Sequence, residues 1–212
     1  MQVLEWIAML TMLIDHVGLI FFPDREWFRI IGRIAFPLYC WFLVQGYRHT
    51  RNLKKYMWRL FLLACISQIP YTLALGQWEL NVIFTLLLGL LALYSIDHIQ
   101  DEKTKWFFTL GIFIAAVAIP MDYGLYGILL ILLFHSFDEG KLILRHFFLN
   151  LLFLFAYGVD FGIQLFSILG SILIVLFPSY QPLTKYRWLY RSFYPAHLTI
   201  LFFVLFIWGL RQ

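Results

Sequence analysis

Asp15 and His16 stand side by side in "MLIDHVGLIFFP", residues 12–23, a stretch otherwise built of apolar side chains and one glycine. Imidazole takes up and releases a proton near neutral pH, and a carboxylate beside it supplies charge or orientation. Arg33 in "IGRIAFPLYC" and Arg59 in "YMWRLFLLAC" add fixed cations, Gln68 and Asn81 add amide donors, and His197 in "SFYPAHLTIL" adds a second imidazole. His16 suits the acceptance of a proton from a substrate. The same residues also suit a proton-coupled transporter or channel in which Asp15, His16 and Arg33 relay a proton with no covalent step. A third reading makes them a packing device in a structural component of a secretion or pilus assembly.

The elements that carry these residues are dictated by composition. Of the 212 residues, 62% are hydrophobic, 20% aromatic and 13% charged, with a mean hydropathy of +0.81. A soluble domain carries roughly 25% charged residues, so an all-α, polytopic transmembrane bundle is expected instead. Apolar runs and their polar breaks predict about nine spans, within a range of eight to ten. These are Val3–Phe22, Trp27–Gly46, Lys55–Leu75, Asn81–Ile99, Thr104–Ile119, Tyr123–Phe137, Leu142–Tyr157, Phe161–Phe177 and Ser192–Leu210. The first run has no basic flank and carries Asp15 and His16, so it reads as a retained span rather than a signal peptide. Residues 1–212 read as one integral membrane domain without a repeat. Cys40 and Cys65 both lie in apolar runs, and neither a disulfide framework nor a metal site is expected.

Basic residues near span ends stay on the cytoplasmic side. Eleven of them fall in one set of alternate loops (Arg48, Arg51, Lys54, Lys55, Lys103, Lys105, Lys141, Arg145, Lys185, Arg187 and Arg191), and three in the other (Arg25, Arg29 and Arg211). Nine spans with a cytoplasmic amino terminus satisfy that asymmetry. The net charge of +4 is then an orientation signal facing the lipid bilayer, and no basic surface remains for nucleic acid. Arg33 and Arg59 fall inside spans. A charge near the bilayer centre costs about 3 kcal/mol, so Asp15, Arg33 and Arg59 together cost roughly 9 kcal/mol unless paired or hydrated. They must face the bundle interior or a wet cavity, either as a functional site or as a pair that locks two helices.

Depth follows from that topology. Asp15 and His16 lie past the midplane toward the outside, and Arg33 descends to a similar level, so the three are expected to meet in one cavity. Thr11, Asp15 and Gly18 share one helix face, with Met12 and His16 about 100° round from it. Adjacent helical residues do not face each other. Asp15 is therefore expected to pair with an arginine or a backbone donor, leaving His16 to accept a proton. His197 and Arg59 are expected near the cytoplasmic face, where cations would receive an anionic donor. No phosphate-binding glycine loop is present to do so.

In order and spacing, "AMLTMLIDHVGLIFFP", "IGRIAFPLYCWFLVQGYRHTRN", "YMWRLFLLACISQIPY", "LNVIFTLLLGLL", "DYGLYGILLILLF" and "FYPAHLTIL" resemble the TraX family over nearly the whole chain. The resemblance implies a multi-pass acetyltransferase of the bacterial inner membrane, since founding members acetylate the amino terminus of F-type pilin. It also implies acetyl-CoA as the cytosolic donor, with no metal. By that resemblance His16 is the catalytic histidine, Asp15 its electrostatic partner and Arg33 a stabiliser of charge. The implied acyl transfer needs a base to remove the acceptor's proton and donors to hold a developing oxyanion; His16 suits the first role, and Arg33, Gln68 or Asn81 the second. Arg59 and His197, with Gln68 and Asn81, fall to the donor side. The acceptor stays open among a peptide amino terminus, a sugar and a small amine, and self-association stays open as well. Against a transporter stand the lack of an inverted repeat and a concentration of polar residues in the first four spans. Other features have plainer readings. The basic "YRHTRNLKKY" anchors topology on anionic lipid, with coenzyme phosphate as its other use. The aromatic residues face lipid and interface, and Asp122 and Asp160 sit in outer-side turns where an acceptor could be held.

Overall fold

A backbone without water must satisfy its own polar groups, and uninterrupted apolar runs do so by closing i to i−4 ladders. The computed structural model describes residues 2–136, 138, 140–177 and 187–209. Lys185 and Arg211 lie outside the described residues, as do Phe137, Leu210 and the side chains of Asp160 and Arg187. The helices are α1 (Gln2–Phe21), α2 (Glu26–Gly32), α3 (Ala35–His49), α4 (Leu53–Leu75), α5 (Val82–His98), α6 (Glu102–Ala118), α7 (Gly124–His135), α8 (Leu142–Tyr157), α9 (Ile168–Leu176) and α10 (Arg187–Gly209). A 3-10 segment, Val159–Ser167, runs directly into α9. Asn52, Asn81 and Asp101 cap α4, α5 and α6 by accepting the backbone N–H of Lys55, Ile83 and Thr104, which removes orphan donors at those starts.

α2 and α3 are one rod, Glu26–His49, interrupted at Arg33 and Ile34. Pro37 explains the interruption. It has no N–H for the Arg33 carbonyl four residues back, and its ring crowds that carbonyl. The chain tightens instead, with the Ile34 N–H donating to Ile31 O at 3.2 Å. With α2/α3 and the 3-10/α9 pair each taken as one rod, the described residues form nine, at the places of the nine expected spans. The all-α bundle is thus what the chain forms. Four helices are long and apolar enough to cross a membrane: Val3–Phe21, Glu26–His49, Leu53–Leu75 and Trp188–Gly209. Large apolar side chains cover the outside, among them Trp78, Trp106, Phe107 and Phe155, as a lipid-facing surface requires.

Packing is not sequential around the bundle. α1 lies against α2, α3 and α10, α10 lies against α4, and α5 lies between α4 and α7. The last helix therefore closes on the first. A core of Leu4, Phe36, Trp41, Leu90, Ile131 and Phe134 holds the centre, and a second cluster of Met12, Ala35, Ala64, Tyr71, Tyr194 and Leu198 lies where α1, α4 and α10 meet. The expected concentration of polar residues in the first four spans is corrected here. His146, Asn150, Gln164, Ser167 and Ser171 are buried too, but as single neutral side chains within apolar runs they raise no signal of charge.

Candidate functional site

α1 and α10 bring His16 and His197 into direct contact, His16 Nδ1 lying 2.7 Å from His197 Nε2. His197 Nδ1 in turn lies 2.7 Å from the Phe193 carbonyl one helical turn back. These partners assign the tautomers. A carbonyl can only accept, so His197 carries its proton on Nδ1, and its bare Nε2 accepts the Nδ1–H of His16. His16 is left with a lone pair on Nε2, which no described residue bonds, and its ring lines the central cavity. Such an imidazole is set up to take a proton. Sequence depth had separated the two histidines because α10 was expected to begin at Ser192. It begins at Arg187, which carries His197 roughly 15 Å into the helix at about 1.5 Å per residue.

Asp15 pairs with Arg29, Oδ2 to Nη1 at 2.8 Å, and its Oδ1 is buried without a hydrogen-bond partner. The expected arginine partner exists, but it is one that charge counting had assigned to an outer loop. α2 starts at Glu26, so Arg29 is helical and faces α1. The close approach of these helices rests on two glycines. A Cβ on Gly18 would collide with Phe28, and one on Gly32 would collide with the Asp15 carboxyl.

Arg33 does not line the cavity with Asp15 and His16. It donates to the Tyr123 hydroxyl at 3.1 Å and lies 5.9 Å from the Tyr123 ring centre, while Tyr123 itself lines the cavity. Tyr123 adopts a left-handed backbone, φ 65°, uncommon for a bulky residue and a sign that its surroundings hold it there. The neighbouring chain supplies those surroundings: Leu80 bonds Pro120 and Asp122 through its backbone, and Thr85 donates to the Asp122 carbonyl. Burial pushes the Asp122 carboxyl up to about 7, with Arg33 pulling the other way.

The cavity holds about 680 Å³ and runs from Asp15, His16, Asp122 and Tyr123 to a mouth formed by His49, Asn52, Lys55, Arg59 and Arg191. From Ala35 to His49 along its α3 wall is roughly 20 Å at about 1.5 Å per residue. Arg59 is exposed at that mouth. Gln68 and Asn81 lie outside the lining. Gln68 Oε1 accepts from both the backbone N–H and the side chain of Asn81, and its Nε2 donates to Thr72 and the Glu79 carbonyl. Asn81 Nδ2 also reaches the Ala64 carbonyl. These amides clamp α4 to the start of α5. Sequence reasoning missed Arg29, Tyr123 and Tyr194. Tyr194 lies within "YPAH", three residues before His197, and that spacing on one helix face was the available signal.

A protein-family model described as "TraX protein" matches residues 1–205. The chain is 30% identical to a probable fimbrial assembly protein FimC, serogroup H1, of Dichelobacter nodosus, over 93% of this chain and 92% of that one. It is 29% identical to a protein TraX of Escherichia coli over 61% of this chain and 53% of the relative. An uncharacterized protein of Rickettsia prowazekii is 32% identical over 58% of this chain and 46% of its own length. No solved structure matches.

Proposed function

We propose that this chain, which belongs to the TraX family, is a multi-pass acyltransferase of the bacterial inner membrane. It takes acetyl from cytosolic acetyl-CoA and delivers it to an amine or hydroxyl acceptor. The observation that carries this reading is the chain Phe193 carbonyl, His197, His16, which leaves Nε2 of His16 bare at a cavity open to a basic mouth. With the amino terminus cytoplasmic, that mouth faces the cytosol. Lys55 and Arg59 receive the coenzyme's phosphates. The roughly 20 Å of apolar wall then accommodates a pantetheine arm, which brings the thioester to His16. His16 Nε2 removes the acceptor's proton as its lone pair attacks the carbonyl carbon, and the resulting imidazolium returns that proton to the departing thiolate. The positive charge spreads toward His197, whose Nδ1–H stays anchored on the Phe193 carbonyl. Asp15 and Arg29 hold α1 against α2 and so fix the depth of His16, and Arg33 acts on the cavity through the Tyr123 hydroxyl. The FimC relative is described as a fimbrial assembly protein, so a surface subunit is one acceptor to try.

The test is purified protein in lipid nanodiscs with labelled acetyl-CoA and three acceptor probes: a peptide with a free amino terminus, a hexose and a small primary amine. Consumption of acetyl-CoA by wild type, lost in a folded His16→Ala variant, is the expected result. Absence of both binding and consumption by wild type refutes the acyltransferase. Retained transfer by folded His16→Ala removes His16 from the role of base.

A further inference from the structure

We infer that the Tyr194 hydroxyl is the oxyanion donor of this site. The inference rests on the acyltransferase reading above and adds a residue to it. Tyr194 is 7% exposed and lines the cavity, and its hydroxyl oxygen is buried with no partner in the protein. Leaving a buried hydroxyl unpaired costs about 1 to 3 kcal/mol. Phe84, Phe193 and Phe202 pack against the same cluster, so an apolar ring suits these surroundings, yet a tyrosine stands here. Its location assigns the missing partner. The ring meets His16 edge-on at 6.2 Å between centres and His197 edge-on at 5.7 Å. It sits three residues before His197 on α10, the spacing that puts two side chains on one helix face. The Tyr194 ring is thus packed against both imidazoles, on a residue that lines the cavity beside the proposed base.

During transfer the acceptor's lone pair forms a bond to the thioester carbon, and the C=O π electrons move onto oxygen. Tyr194 O–H donates a hydrogen bond to that oxygen as its charge grows and keeps its own proton. When the C=O bond reforms, the C–S bond breaks and the coenzyme leaves as thiolate, which takes the proton held by His16. Every electron pair and proton is accounted for without another reactant. Tyr194 is a catalytic residue in the strict sense, since it touches the reacting oxygen. Gln68 and Asn81 cannot take this role, because their donors are engaged in the α4–α5 clamp.

Tyr194→Phe keeps the ring and deletes only the donor. With acetyl-CoA and the fastest of the three acceptor probes, kcat is expected to fall by about 10² to 10³, the usual cost of one oxyanion donor. KM for acetyl-CoA should stay near wild type, because the lost bond forms in the transition state. Turnover by wild type with an undiminished kcat in Tyr194→Phe overturns this inference and leaves the acyltransferase standing. No consumption by wild type overturns both. If Tyr194→Phe fails to fold, judged by gel filtration in detergent, 2,3-difluorotyrosine at position 194 preserves the packing and makes the hydroxyl more acidic. The stronger donor then changes kcat while KM for acetyl-CoA stays near wild type, and an unchanged kcat overturns the assignment.

Discussion

Tyr126 and Tyr194 are both buried tyrosines next to a buried histidine, but their hydroxyls end differently. Tyr126 on α7 donates to Asn150 at 2.7 Å and also meets His146, Ser167 and Gln164. His146 has partners on both nitrogens, Ser171 on Nδ1 and Tyr126 with Ser167 on Nε2. That cluster, between α7, α8 and the 3-10/α9 rod, is closed. Around His16 the Tyr194 hydroxyl and the Asp15 Oδ1 lack hydrogen-bond partners, and both residues line the cavity. A saturated network rigidifies a fold, because each member answers the desolvation of another. An unsaturated cluster at a cavity is organised for a guest. The residue types are alike, and the difference lies in which of them leave a polar atom over.

Four measurements break or sharpen that contrast. The largest separation is expected from paired variants assayed for acetyl-CoA consumption. His16→Ala should lower the rate by about 10² to 10⁴, whereas His146→Ala should leave the rate per folded molecule unchanged. Equal losses would mean that both clusters serve the same end. Second, Ser171→Ala and Asn150→Ala should each destabilise the protein by about 1 to 3 kcal/mol through an orphaned buried partner, seen as earlier unfolding in detergent with activity intact before the transition.

Gly32→Ala comes third. The added Cβ must displace the Asp15 carboxyl, and overpacking of this kind costs about 1 to 3 kcal/mol. Loss of the Asp15–Arg29 pair should accompany it, so an Arg29→Gln background should reduce the penalty. The last measurement concerns pH. The Asp122 carboxyl, pushed up to about 7 by burial from an ordinary value of 3.8, binds its proton more tightly when folded. Its contribution therefore favours folding at low pH and is lost as pH rises from about 4 to about 7. Thermal midpoints of wild type should decline across that window relative to Asp122→Asn, and parallel curves would show that Asp122 is not held in that state.

Legibility differed from residue to residue. The helix positions were readable because a bilayer-sized apolar run leaves one way to satisfy the backbone. Asp15 and His16 stood out because charge and imidazole are costly there. Arg29 was misplaced because a cation within three residues of an expected span end is counted with the adjoining loop. His146, Asn150 and Ser171 were passed over because a neutral polar residue in an apolar run is unremarkable until its partners are known. Gln68 and Asn81 were read as donors for a ligand, and only their mutual geometry revealed that those donors are engaged.

Sequence alone determined the all-α architecture, the rods and the family, since each depends on local composition or on motifs in order. Tertiary structure alone decided that His16 meets His197 across 181 positions, which tautomer each adopts, and which tyrosine hydroxyl is left without a partner. Those outcomes depend on the closing of α10 onto α1 and α4, a long-range packing choice that no local pattern encodes.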